Sequence, residues 1–173
     1  MAFLRFQKNK RSRILSIMDI FSTGSMYIHL FLAMVLGMSL GLERFVARKT
    51  AGMRTYTLVS MGSALFVIIS QLVTAQFAAE TMFDPLRVAA QVVAAAGFLG
   101  VGAIFRDSQG GVSGVTTASG LWVAAGIGIA CGFGLYSLAT VATVLGLFTF
   151  IVLWFVEKKI RKLPLGEKDE QPL

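Results

Sequence analysis

Residues 115–156 read VTTASGLWVAAGIGIACGFGLYSLATVATVLGLFTFIVLWFV, and this stretch contains no Asp, Glu, Lys or Arg. A transmembrane helix needs about 20 mainly apolar residues to cross roughly 30 Å of hydrocarbon. The stretch is long enough for two such helices, and Gly132-Phe133-Gly134 near its middle permits a tight reversal. It therefore predicts a transmembrane hairpin with helices at residues 115–131 and 135–156.

Further uncharged runs lie upstream, at residues 55–79 and 88–105, and an apolar segment at 25–42 precedes Glu43 and Arg44. The whole chain of 173 residues is 55% hydrophobic and only 14% charged, whereas a soluble domain carries about 25% charged residues. We expect an all-α, polytopic transmembrane helical bundle of about five helices. Their predicted ranges are 25–42, 55–77, 88–105, 115–131 and 135–156.

Three regions follow from this pattern. Residues 1–24 form a basic tail with apolar residues at helical spacing, which fits an amphipathic helix in the membrane interface. Residues 25–156 form the five-helix membrane domain, and residues 157–173 form a charged tail. The positive-inside rule places the basic first loop, third loop and C-terminal tail in the cytoplasm. The basic N-terminal tail opposes that orientation, so it is translocated, folds back, or precedes a functional start such as Met18.

The charge pattern also bears on function. A net charge of +7 could indicate nucleic-acid binding, but the basic residues adjoin apolar runs, so anionic lipid headgroups explain them better. We therefore predict the lipid bilayer as a partner and expect no binding of nucleic acid. His29 and Cys131 are the one histidine and the one cysteine, too few for a metal cage. The single histidine is also remote, so no Ser-His-Asp set can be assembled. We expect no enzyme, no cofactor and no metal site.

Charged residues gather at one predicted membrane depth, where intramembrane ionisable groups are candidates for function. They lie at the ends of the first and third helices and the start of the second: Glu43, Arg44, Arg54, Arg106 and Asp107. We expect an ionic cluster there that joins three helix ends or receives an ion or a partner. Ordinary interfacial capping by solvated charges is the alternative.

Small and polar residues form the second candidate set, because small faces let membrane helices approach closely. The third helix is expected to be the buried centre of the bundle. The side-chain amide of Gln91 on that helix is expected to be buried and to hydrogen-bond to Thr116 or Thr117 of the fourth helix. The predicted helix-packing and polar positions are Gly37, Gly41, Gln91, Gly97, Gly100, Gly102, Thr116, Thr117, Gly128 and Gly132.

Three groups of motifs resemble the MgtC/SapB family of bacterial membrane proteins. They are GLER at 41–44 with AGMRT at 51–55 and GSALF at 62–66; RVAAQVV at 87–93 with GFLGVGAI at 97–104; and GVTTA at 114–118 with GIG at 126–128 and GFGLY at 132–136. The likeness covers residues 26–156. It implies a five-helix protein of the cytoplasmic (inner) membrane, in a short form without the soluble C-terminal domain of longer members.

The resemblance also implies a link to magnesium limitation or acid stress. It implies action through contacts with other membrane proteins, the rotary ATP synthase among them, and a homo-oligomer is the other partner considered. We therefore predict a regulatory or interaction protein of the inner membrane. The alternative is a transporter or channel for magnesium or another small ion, with Glu43 and Asp107 as an inner gate.

Overall fold

The computed structural model describes residues 23–77, 84–106 and 111–160. The predicted interfacial helix before residue 23, most of the charged tail and Asp107 lie outside these ranges. The described elements are helices α1 (Thr23–Val46), α2 (Met53–Gln76) and α3 (Pro85–Gly102), strands β1 (Phe105–Arg106) and β2 (Val112–Ser113), helices α4 (Val115–Gly132) and α5 (Tyr136–Phe148), a π-helical segment (Thr149–Leu153), and helix α6 (Trp154–Ile160).

The prediction of an all-α polytopic bundle is confirmed. Within the described ranges, four helical stretches are long and apolar enough to cross a membrane: Gly24–Val46, Met53–Ala75, Val115–Gly132 and Tyr136–Ile160. The last of these joins α5, the π-helical segment and α6 into one rod. The fifth predicted span, α3, is a shorter apolar helix whose 18 residues extend about 27 Å.

The helix ends follow local chemistry. Asp84 caps α3, where its carboxylate accepts a hydrogen bond from the Leu86 N–H at 2.9 Å, and Pro85 occupies the first turn. Gly134, with φ of 74°, makes the reversal predicted between α4 and α5. The prediction that the third helix reaches residue 105 is wrong, because Phe105–Arg106 pairs antiparallel with Val112–Ser113 instead.

The C-terminal end of α1 is a Schellman cap. The Lys49 N–H donates to the Arg44 carbonyl at 3.0 Å, and the Arg48 N–H donates to the Phe45 carbonyl at 3.1 Å. This pattern places Arg48 in the left-handed position that glycine usually occupies. Its φ of 54° is the one positive φ found for a non-glycine residue within the described ranges.

Helix α4 is the centre of the bundle, in contact with α1, α2, α3 and α5. Within its 18 residues 56% are buried, against 17% within an 18-residue stretch of the rod that ends at Ile160. The expectation that the third helix is the centre is therefore wrong. Small residues surround α3 on all sides and so favour no face, whereas Gly120, Gly128 and Gly132 of α4 are buried and admit close neighbours.

Candidate functional site

The glycines of α4 close the bundle against α2. A Cβ atom on Gly128 would collide with the Ser60 carbonyl oxygen and lie 2.8 Å from the Ser63 Cβ, and one on Gly132 would lie 2.8 Å from the Val67 Cβ. Real Cβ atoms do not approach so closely, since protein interiors are packed to the density of organic crystals. The two helices are therefore in close contact along about one turn of α4, from Gly128 to Gly132.

Helix α1 closes against α2 in the same way. A Cβ atom on Gly37 would lie 2.6 Å from the Ser60 Cβ, and one on Gly41 would lie 2.7 Å from the Met53 Cα. We call these four glycines, with Ser60 and Val67 of α2, the glycine seam. All four glycines were predicted from the sequence as helix-packing positions, and the seam joins α1, α2 and α4 without space for a methyl group.

Beyond the seam, Tyr56 joins α2 to α4. Its side chain is fully buried, and its hydroxyl donates to the Thr117 carbonyl oxygen at 3.1 Å. Gly120 makes room for this ring and for Phe150, whose Cζ would lie 2.6 Å from a Cβ at residue 120. The sequence reasoning missed Tyr56 and Phe150, although a tyrosine in the first turn of an apolar helix was an available signal.

Arg44 is the charged residue at the centre of this end of the bundle. Only 4% of its side chain is exposed, and its Nε donates to the carboxylate of Glu43 in an ion pair. Its guanidinium carbon lies 3.8 Å from the centroid of the Phe150 ring, a cation–π contact that adds attraction in a dry setting. Burial of this charge is thus compensated by one carboxylate and one aromatic face.

Two other members of the predicted ionic cluster, Arg54 and Arg106, form no ion pair with Glu43 in the described part of the chain. Arg54 and Arg106 are exposed, and in the part of the chain that the structure describes the Glu43–Arg44 contact is the ion pair found. Asp107 lies outside the described residues. The structure thus brings together two of the five predicted charges, and a wider cluster stays a prediction.

The remaining predicted positions divide between the core and the surface. Thr117 is buried and Thr116 is exposed. Gly100 packs on Ala118, whose Cβ lies 3.4 Å from a Cβ built at residue 100, whereas no described atom lies within 4 Å of one built on Gly97 or Gly102. Gln91 is exposed, so the expectation of a buried amide bonded to α4 is wrong.

A cavity of about 1130 Å³ opens beside Arg44. It lies between the C-terminal end of α1, the first turn of α4 and the rod formed by α5, the π-helical segment and α6. Its basic lining residues include Arg44, Arg48 and Lys49. The cavity also has an apolar wall, which is formed by Leu42, Val46, Leu147, Ile151, Leu153, Trp154 and Phe155.

The π-helical segment shapes that cavity. A π turn adds a residue to the helix and is often found at functional sites. Here it places Phe150 inward, only 8% exposed, while Thr149, Ile151 and Leu153 line the cavity. The Thr149 hydroxyl donates to the Leu145 carbonyl at 2.9 Å. Nothing in the apolar sequence of residues 149–153 indicated this distortion.

His29 and Cys131 are both buried at the opposite end of α4 from Gly120. The His29 ring meets the Tyr136 ring edge-on, with 5.4 Å between centroids. Among the described residues, no group of three or more His, Cys, Asp or Glu side chains could hold a metal ion.

Comparison with known proteins gives a consistent result. Residues 30–159 match the MgtC family. A protein named "Putative magnesium transporter YhiD" from Escherichia coli K12 is 40% identical over 132 residues, which are 75% of this chain and 61% of that protein. "Protein MgtC" from Salmonella typhimurium LT2 is 38% identical over 144 residues, which are 83% of this chain and 59% of that protein.

"Protein SapB" from Bacillus subtilis is 36% identical over 144 residues, which are 82% of this chain and 62% of that protein. The chain thus spans about three fifths of the length of these relatives. No solved structure matches it.

Proposed function

The chain belongs to the MgtC family and is a multi-pass protein of the bacterial inner membrane, and from this premise we propose that it is a non-enzymatic regulatory protein. It acts by contact with other membrane proteins, or with a second copy of itself, during adaptation to magnesium limitation or acid stress. It does so without conducting ions through its own bundle.

The glycine seam is the observation that carries this proposal. Magnesium sheds its waters reluctantly and is usually bound with several of them retained, so a conducting path must be wide enough for water. Along α4 the contacts of Gly128 and Gly132 leave no room for a methyl group. A path between α2 and α4 would have to separate these backbones.

The Glu43–Arg44 pair is a second support. A carboxylate attracts a divalent cation when its charge is uncompensated, but Glu43 is bound by the buried guanidinium of Arg44. A cation that binds Glu43 would have to displace that guanidinium and leave it buried without its counter-ion. Breaking a buried ion pair in this way costs several kcal/mol, about 3–5 by analogy with measured cases.

The outward face of α3 supports the proposal that the protein contacts another membrane protein or a second copy of itself. We call Gln91, Ala95, Phe98 and Gly102 the α3 outer face, since they recur at helical spacing and all are exposed. Phe98 has 80% of its surface exposed. An amide directed at lipid has no hydrogen-bonding partner in the acyl chains, whereas a protein partner can supply one, and a small residue beside it lets a helix approach.

A photo-crosslinking amino acid in place of Phe98 tests the proposal in native membranes. We expect a discrete adduct, either with another membrane protein or with twice the mass of the chain. The matched control places the same amino acid at Leu138, which is 59% exposed on α5 but outside the α3 outer face. An equal adduct pattern from both positions, or none from Phe98, would contradict the proposal.

Ion transport is the second candidate. It is favoured by the cavity beside Arg44, which Glu43 and Glu157 both line, and by the printed name of the Escherichia coli relative. A cation could enter that cavity from one side of the membrane. A path to the other side between α1, α2 and α4 would have to pass the glycine seam. Magnesium flux is the observable that separates the two functions.

A further inference from the structure

The cavity beside Arg44 combines two kinds of wall. Its charged lining residues are Glu43, Arg44, Arg48, Lys49 and Glu157. Glu43 and Arg44 pair with each other, which leaves two exposed cations against one exposed carboxylate at the rim. Below the rim the apolar side chains begin, and the π-helical segment and Trp154 extend them along the rod.

Arg48 adds a separate observation. It occupies the left-handed position of the α1 cap with φ of 54°, where a residue with a Cβ atom is strained and glycine is strongly preferred. Backbone strain that persists in a native fold is a pointer to function. The strained residue here is a long cation whose side chain lines the cavity.

A third cation lies next to the apolar wall. The Lys158 ammonium is 5.0 Å from the centroid of the Trp154 ring, and Lys159 follows it in the chain. Positive charge therefore lines the cavity at the end of α1, and at α6 it lies beside the lining residue Trp154, next to the carboxylate of Glu157. The apolar wall between these two ends fits a hydrocarbon chain, and the cations above it fit a phosphate group.

We infer that this cavity binds an anionic phospholipid. The phosphate lies against Arg48 and Lys49, and an acyl chain lies along Leu147, Ile151 and Leu153. Free inorganic phosphate would use the cations but leave the apolar wall uncovered. A zwitterionic lipid would cover the wall, but its headgroup carries no net charge, so it would gain less than an anionic headgroup from the excess of cations at the rim. The contact would help to hold the α1 cap and the rod at a fixed separation.

The two tryptophans of the chain allow a direct test by quenching with brominated lipids. Trp154 lines the cavity, and Trp122 is 54% exposed on α4 outside it. The first measurement uses a Trp122→Phe variant in mixed micelles. Brominated phosphatidylglycerol should quench Trp154 at roughly fivefold lower concentration than brominated phosphatidylcholine. This factor corresponds to about 1 kcal/mol, the contribution of one basic residue near an anionic headgroup. In the Trp154→Phe control, the two lipids should quench Trp122 equally. Equal quenching of Trp154 by both lipids would overturn the inference.

Arg48→Gly, made in the Trp122→Phe background, separates binding from folding. It should abolish the roughly fivefold preference for phosphatidylglycerol yet raise the unfolding midpoint by about 2–4 °C, because glycine relieves the strained cap. Arg54→Gln removes an exposed cation that does not line the cavity, and it should leave the preference intact. Retention of the preference in Arg48→Gly, or its equal loss in Arg54→Gln, would overturn the inference.

A competition arm distinguishes lipid from free phosphate. Millimolar inorganic phosphate should not reverse the quenching of Trp154 by brominated phosphatidylglycerol at constant ionic strength. Reversal by phosphate, beyond that caused by an equal ionic strength of chloride, would assign the cations to a soluble anion and overturn the lipid assignment.

Discussion

The glycine seam and the cavity beside Arg44 lie on the same helices, α1 and α4, but they are built from opposite kinds of residue. In the seam, glycines bring backbones into contact and leave no room for a methyl group. At the cavity, the bulky rings of Phe150 and Trp154 and a π-helical segment line an open space between the rod and the end of α1. Side-chain size therefore decides where this bundle is closed and where it can accept a ligand.

The largest change in the free energy of unfolding is expected when a single methyl group is added to the glycine seam. Gly128→Ala should destabilise the protein by about 3 kcal/mol, at the upper end of typical overpacking costs, because the new Cβ meets the Ser60 backbone. Gly126→Ala is the matched control on the same helix, since no described atom lies within 4 Å of a Cβ built there. Its unfolding free energy should change by less than about 1 kcal/mol.

Unfolding in mixed micelles, followed by circular dichroism as denaturing detergent is added, measures both alanine variants. Equal stability of the two variants would show that α4 is not held against α2 by backbone contact. The contrast between a closed seam and an open cavity would then be lost.

A smaller effect is expected from the charges beside the cavity. A double-mutant cycle of Glu43→Gln and Arg44→Gln should give a coupling energy of about 1–2 kcal/mol, because the two side chains form an ion pair that is largely shielded from water. The parallel cycle of Glu43→Gln with Arg54→Gln should be additive within about 0.5 kcal/mol, because Arg54 is exposed. The same unfolding measurement serves both cycles.

The opposite ranking would revive the wider ionic cluster expected from the sequence. If Glu43 coupled to Arg54 more strongly than to Arg44, the three helix ends would be joined by charge. The cavity rim would then have a different set of unpaired cations.

The sequence was sufficient for the membrane fold, because a helix that crosses lipid must be long and uncharged, and these two properties are visible in a single chain. The uncharged stretch at 115–156 and the turn glycines at 132 and 134 determined the α4–α5 hairpin correctly. The glycine pairs at 37 and 41 and at 128 and 132 also indicated helix contacts, because small residues four positions apart lie on one face of a helix.

The sequence was not sufficient to predict which helix is most buried or which side chains contact one another. Ala and Gly surround α3, and composition alone does not show which helix is central when lipid and protein are equally apolar. The buried side chain of Arg44 depends on Phe150, which lies 106 positions away and is directed inward by a π turn. Such a contact depends on how the last helix packs, which no local motif records.

Magnesium flux is the most direct test of the claim that the bundle is closed to ions and works by contact. The purified chain in liposomes that contain a magnesium-sensitive dye should show no flux above that of empty liposomes when an inward magnesium gradient is applied. An ionophore added at the end confirms that the dye responds. Magnesium entry that is abolished by Glu43→Gln and retained in Glu157→Gln would contradict the account and make the cavity the entrance to a conducting path.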